Sequence, residues 1–179
     1  MKYLFLFIYL IINSCQAQKA TDYENKVYKL LNEVFERKSE NSSSNNAYIN
    51  INHNLKDSAK NLDDEILKKL LVNANSKNNI YLPKDILDDK KWKQTNTDFL
   101  ISTFDQNKIS IPNLIFCKND NMPNNKIYLK NINAVLFYNH YAILSIEIQP
   151  GFNSISLFKL EHEKYNRITT ITNPPLGYE

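Results

Sequence analysis

Glycine occurs only at Gly151 and Gly177 in a chain of 179 residues, and that scarcity closes off more architectures than any motif opens. Phosphate-cradling loops, dinucleotide-binding turns and nucleophile elbows all use glycine where the backbone approaches a ligand closely or takes positive φ. The two glycines stand alone and far apart. No P-loop, dinucleotide fingerprint or GxSxG elbow can be written in this sequence.

The cysteines narrow the choice further. Cys15 and Cys117 are the only two, and if Cys15 is consumed by processing of a leader, Cys117 has no disulfide partner inside the domain. The fold must then rest on its apolar core, which one domain of this length is large enough to build. Cys117 ends an apolar run that begins at Ile109 and reads as a buried strand cysteine. A nucleophile would need a positioned base, and no neighbour in sequence suggests one. Without residues 1–14 the chain loses only Lys2 from its charges and keeps 21 of 22 basic residues against 19 acidic ones, a balance of +2. So weak a field steers neither nucleic acid nor anionic lipid, and no nucleic-acid partner is expected. The 27 asparagines read as the drift of AT-rich codons rather than as a functional low-complexity tract.

The chain opens with Met1-Lys2, runs through an apolar stretch from Leu4 to Ile12, and reaches small and polar residues in Asn13-Ser14-Cys15-Gln16-Ala17-Gln18. That is the layout of a secretory signal. The stretch supplies nine apolar residues, where a helix spanning a bilayer needs about 20. Two processing routes fit its end. Ile12-Asn13-Ser14-Cys15 resembles a bacterial lipobox, with an aliphatic residue three before the cysteine and a small one directly before it; Asn13 departs from the small or β-branched residue usual there. Cleavage after Ala17 is the rival route, because Cys15 and Ala17 also offer small residues to a signal peptidase. The lipobox is preferred.

The leader as a whole, short, Lys-plus-aromatic and ending in Ser14-Cys15-Gln16-Ala17-Gln18, resembles those of the small lipoproteins exported by Bacteroidota. The resemblance covers about the first twenty residues. It implies an address, the cell envelope, with an acyl anchor on Cys15 and the lipid bilayer as partner; it implies no activity. Residues 1–14 are expected to be a signal peptide, 15–20 a tether and 21–179 a single domain.

Periodicity outlines that domain. Tyr23, Val27, Leu31, Val34 and Phe35 follow a helical rhythm behind a cap at Thr21 or Asp22. A second helix starts near Asn61: Asp63, Asp64 and Glu65 suit the positive end of its dipole, and Leu62, Ile66 and Leu70, broadened by Leu67 and Leu71, form its apolar stripe. Asp64 with Lys68 and Glu65 with Lys69 are spaced as i,i+4 ion pairs. A third, shorter helix is expected to open at Pro83 and to carry Ile86, Leu87 and Trp92, with Asp85, Asp88 and Asp89 on a solvated face. Tyr48 to Leu55 alternates like a half-buried strand.

From Phe99 onward come short β-rich runs: Phe99 to Thr103, Ile109 to Cys117, Lys126 to Leu129, Ala134 to Tyr138, Tyr141 to Gln149, Ser154 to Leu160 and Tyr165 to Thr172. Turns at Asn139-His140, Pro150-Gly151 and Glu161 to Lys164 make the later runs a meander. The fold class expected is α+β, with two or three N-terminal helices packed on one face of a C-terminal antiparallel β-meander. In Tyr141 to Gln149, however, both faces carry apolar residues, so the second face either lines a pocket or is covered by helix as well.

No catalytic residue, cofactor or metal is assigned. His53, His140 and His162 have no partners at ligand spacing, and Glu161-His162-Glu163 reads as a surface turn. His140 with Glu147 is the least implausible proton-transfer pair. Nine tyrosines outside the leader suit an interface, since each offers an apolar body and a hydrogen-bonding tip. The expected role is a non-catalytic binding or structural module with an envelope or protein partner. A small exported hydrolase and an immunity-type protein that binds a toxin are the alternatives.

Replacement of Cys15 by Ala should shift the protein from the membrane to the soluble fraction, and the acyl mass should disappear from the intact protein. A mature N-terminus at Gln18, soluble with either residue at position 15, would show that the leader is cut at Ala17 instead.

Overall fold

The computed structural model describes residues 21–36, 47–51, 62–77, 81–96, 105–111, 114–117, 129–149 and 152–173. In chain order these form helix α1 (residues 21–36), strand β1 (Ala47–Ile51), helix α2 (Asp64–Lys77), helix α3 (Asp89–Asn96), a 3₁₀ turn at Gln106–Lys108, and strands β2 (Leu114–Cys117), β3 (Leu129–Tyr138), β4 (Tyr141–Gln149), β5 (Phe152–Glu161) and β6 (Lys164–Asn173). The class is α+β, with helices mostly ahead of the strands. The expected signal and tether at residues 1–20, the structure around His53, the strand at Phe99 to Thr103 and the turn at Pro150-Gly151 lie outside the described residues.

The six strands make one sheet in the order β2-β1-β3-β4-β5-β6. From β3 to β6 it is the expected antiparallel meander. β1 adds a feature that alternation alone does not reveal: it lies between β2 and β3 and runs parallel to both. The expected run Ala134 to Tyr138 is the second half of a longer strand, β3, which begins at Leu129 and bulges between Ile132 and Ala134; of the expected run Lys126 to Leu129 only Leu129 is among the described residues. Of the expected run from Ile109 to Cys117, Leu114–Cys117 forms β2, and Ile109 to Ile111 are described outside any strand.

Helices cover both faces of the sheet, not one. Ala142, Leu144 and Ile146 of β4 pack with Val27, Leu30, Leu31 and Phe35 of α1. Ile143 of the same strand packs with Leu67, Leu70, Leu71 and Ala74 of α2 and Trp92 of α3. The even and odd positions of β4 thus enter two separate cores, each closed by its own helices.

On the first face, Tyr23 meets Phe137 edge-on with ring centroids 5.5 Å apart, and its hydroxyl donates to the Val135 carbonyl oxygen at 2.7 Å. The Tyr165 ring lies tilted against Phe137 at 6.2 Å between centroids. Burial first, then the Glu33 and Asp22 carboxylates, push the Tyr165 phenol up to about 12, so it stays neutral across the physiological range. Glu33 also accepts a hydrogen bond from the Tyr165 backbone N–H. Asn32 holds the segment before β2 as a strand would: its Nδ2 donates to the Lys108 carbonyl oxygen at 3.0 Å, and its Oδ1 accepts from Ser110 N–H at 3.0 Å. Ile109 and Ile111 are thereby fixed in the α1 core.

On the second face, Asp63 caps α2, its Oδ1 accepting from Glu65 N–H at 2.7 Å. Lys68 and Asp64, expected to pair with each other along α2, each reach α3: Lys68 meets Asp89 at 3.9 Å, and Lys93 meets Asp64 at 3.3 Å. Pro83 does not open α3. Its carbonyl closes a turn through Ile86 N–H at 3.0 Å, and α3 starts later under Asp88, whose Oδ1 accepts from Lys90 N–H at 3.1 Å. Trp92 is fully buried, donates to the Ile86 carbonyl oxygen at 2.9 Å and lies 5.8 Å from the Tyr138 ring.

Two hairpin turns at one end of the sheet do without glycine. Asn139 (φ 52°) turns β3 into β4, and His162 (φ 49°) with Glu163 (φ 64°) turns β5 into β6. Asparagine tolerates this left-handed region; a histidine and a glutamate in succession do so at a cost of about 1–2 kcal/mol each.

Leu144 is 1% exposed at the centre of the α1-side core. Leu144→Ala should lower the unfolding free energy by about 2–5 kcal/mol, read from denaturant melts. A loss below about 1 kcal/mol would mean that this side of the sheet is not a packed core.

Candidate functional site

The residues singled out for chemistry do not converge. Cys15 and His53 lie outside the described residues. His140 and His162 are exposed in the two glycine-free turns. Glu147 lies seven residues along β4 from His140, roughly 23 Å away at about 3.3 Å per residue, so the pair cannot share a proton. Asp85 accepts from Asn139 Nδ2 at 3.2 Å, Asp88 caps α3 and Asp89 faces Lys68. Glu161 is paired with Lys159 at 2.7 Å, which holds its carboxyl below the usual range. Among the described residues, no three His, Cys, Asp or Glu side chains are grouped to hold a metal ion. Cys117 ends β2, at the edge of the sheet.

A different set does converge, at the end of the sheet opposite the two turns. Register carries one row across all six strands: Cys117 pairs with Asn50, Asn50 with Asn131, Asn131 with Glu147, Glu147 with Asn153, and Asn153 with Asn173. Strand periodicity explains its place. Glu147 shares a face with Ile143 and Ser145, so the row continues the α2–α3 face just past the point where apolar residues end.

Two backbone irregularities bracket the acid. β3 bulges between Ile132 and Ala134, and the β4–β5 register shifts between Glu147 and Gln149. Bulges re-aim side chains and recur beside functional sites. The bulge in β3 releases Asn133 from the ladder, and its Nδ2 reaches over β4 to donate to Asn153 Oδ1 at 2.9 Å. Asn131 Nδ2 donates to Glu147 Oε2 at 2.6 Å, a short charge-assisted contact. Asn131, Asn133, Glu147 and Asn153 are all half-buried.

Asn131 Oδ1 is buried and has no hydrogen-bond partner among the described residues. Turning the amide over would set that oxygen against the Glu147 carboxylate, so the hydrogen bond to the carboxylate fixes the orientation. A buried acceptor left unmet costs about 1–3 kcal/mol. The row presents one carboxylate and three carboxamides, held partly out of water.

Sequence reasoning passed over this row because it assigned the asparagines to codon bias as a class. The signal lay in their phase. Asn131 and Asn133 alternate with Ile132 and begin where β3 changes from polar to apolar, and Asn153 stands before the same change in β5. No family profile, curated protein or solved structure matches this chain.

Replacing both partners of the Asn131–Glu147 hydrogen bond, in the double variant Asn131→Leu/Glu147→Leu, removes the orphaned acceptor together with its cause. Its thermal midpoint should equal or exceed that of the parent, since exchanging both partners for apolar groups is nearly neutral or stabilising. A loss of more than about 3 kcal/mol by calorimetry would make the row a structural element of the sheet.

Proposed function

We propose that this protein is a non-catalytic binding module of the cell envelope, anchored by lipid on Cys15, that contacts its envelope partner through the Asn131–Glu147–Asn153 row. The leader supports the address: Lys2, the apolar stretch Leu4 to Ile12 and the lipobox-like Ile12 to Cys15. The observation that carries the binding reading is the row itself, four half-buried polar side chains joined in pairs at 2.6 and 2.9 Å and bracketed by two bulges. Pre-positioned amides recognise a ligand at low entropic cost, because their rotamers are already fixed before it arrives. The hydrolase alternative loses its one named pair, since His140 and Glu147 stand at opposite ends of β4. The immunity-type alternative has no residue that favours it over other binding roles.

Site-directed photo-crosslinking in intact cells tests this reading. A photoreactive residue at position 153 of the lipidated protein should yield one discrete adduct with an envelope component, and the same residue at exposed Lys69 on α2 should not. Equal labelling from both positions, or none from position 153, would remove the row from the binding surface.

A further inference from the structure

We infer that two copies of this chain pair through β6, the second halves of the two strands running antiparallel across a two-fold axis at Ile171. β6 ends the strand order, so one side of its backbone faces away from the sheet. A row of N–H and C=O groups at such an edge is a template for another strand. The two halves of β6 guard that edge differently. Lys164, Arg167 and a bulge that leaves Ile168 out of register with β5 all lie in the first half, and charge and bulges are what keep foreign strands away. From Thr169 to Asn173 the ladder with β5 is regular, and the sequence Thr169-Thr170-Ile171-Thr172-Asn173 holds no charge and no proline. Four of its five residues are β-branched and suit a strand. Thr170 and Thr172 are exposed, and no strand among the described residues pairs beyond β6.

The second half is complementary to itself. Thr169 accepts from Asn73 Nδ2 of α2 at 3.1 Å, and Ile171 packs against the α2–α3 core, so both lie on that side of the sheet. Thr170, 2.7 Å from Ser156, and Thr172 lie on the other side. With Ile171 on the axis, each Ile171 faces its own copy, and Thr170 of each chain faces Thr172 of the other. Thr opposite Thr is a favourable cross-strand pair, and the two Ile171 side chains join apolar surface that each copy leaves half-buried. Charge selects the direction. The antiparallel joint leaves the two Arg167 residues about 27 Å apart at a rise of about 3.3 Å per residue, whereas parallel pairing in register sets Arg167 beside Arg167 and Lys164 beside Lys164. Pairing β6 with the opposite edge, β2, would offer only four residues and would not close. The two-fold joint closes on itself.

The test uses the full chain as cells export it. In intact cells, Ile171→Cys with a short bifunctional thiol reagent should give a covalent dimer, since residues facing each other across a joint lie about 4.5–5.5 Å apart at Cβ. Asn166→Cys, whose two copies would stand roughly 33 Å apart, should not, and the parent, which keeps Cys117, sets the background. In sedimentation equilibrium of the purified protein in detergent, the dimer dissociation constant should rise about tenfold or more in Thr170→Lys/Thr172→Lys, where like charges meet twice. It should return toward the parent value in Thr170→Lys/Thr172→Glu, where each Lys faces a Glu of the other copy. Circular dichroism melts of each variant separate lost pairing from lost fold, and the Ile171→Cys crosslink decides the matter should the lysine variants not fold. A monomer at every concentration, an Ile171→Cys adduct with a different protein in place of the dimer, or open-ended oligomers would overturn the inference. So would association that withstands the double lysine variant or is not regained on charge exchange.

Discussion

Ala142, Leu144 and Ile146 on one side of β4, with Tyr141 and Ile143 on the other, leave neither face of that strand able to meet water, and the rest of the architecture answers this constraint. Central strands of antiparallel sheets commonly keep one wet face. Here the sheet is covered twice. α1 takes one side, helped by Ile109 and Ile111, which Asn32 ties in place. α2 and α3 share the other, joined through Lys68, Lys93 and the carboxylates that face them. With no disulfide expected, this double coverage supplies the cohesion that a cross-link would otherwise give.

Much of this was legible from local pattern. The stripe of α1, the acidic start of α2, the turns at Asn139-His140 and at His162-Glu163 and the strands of the meander all announce themselves in windows of ten residues or so, because period and turn chemistry are local properties. The placement of β1 was not legible. Ala47–Ile51 reads as a strand, but nothing within it says that it will run parallel between β2 and β3, since that depends on partners far along the chain. The start of α3 was misplaced for a related reason. Proline at position 83 suits a helix and a tight turn equally, and the choice fell to Trp92, whose burial against Tyr138 fixes where the helix can begin.

The candidate site was hidden by composition. In a chain this rich in asparagine, a single Asn carries little information, and Asn131, Asn133 and Asn153 become distinctive only when register sets them beside Glu147. The histidines drew attention because their chemistry is versatile, yet His140 and His162 serve turns in which backbone conformation matters more than the imidazole. A polar row that continues an apolar face past its last buried residue has no signature in a linear window. It emerges only from the pairing of strands.

The parallel seating of β1 carries a consequence for the order of assembly. Neighbouring strands from β3 to β6 meet through short reversals and can pair as soon as they exist, whereas Ala47 must find Leu114, and Tyr48 must find Leu129. Closing loops of that length is entropically slow, and contacts so distant in sequence form late. Until β1 arrives, the outer backbone of β3 is an unpaired edge able to recruit a strand from another molecule. The molecule thus passes through an interval of vulnerability during its maturation, and the arrival of a five-residue strand made early in synthesis ends it.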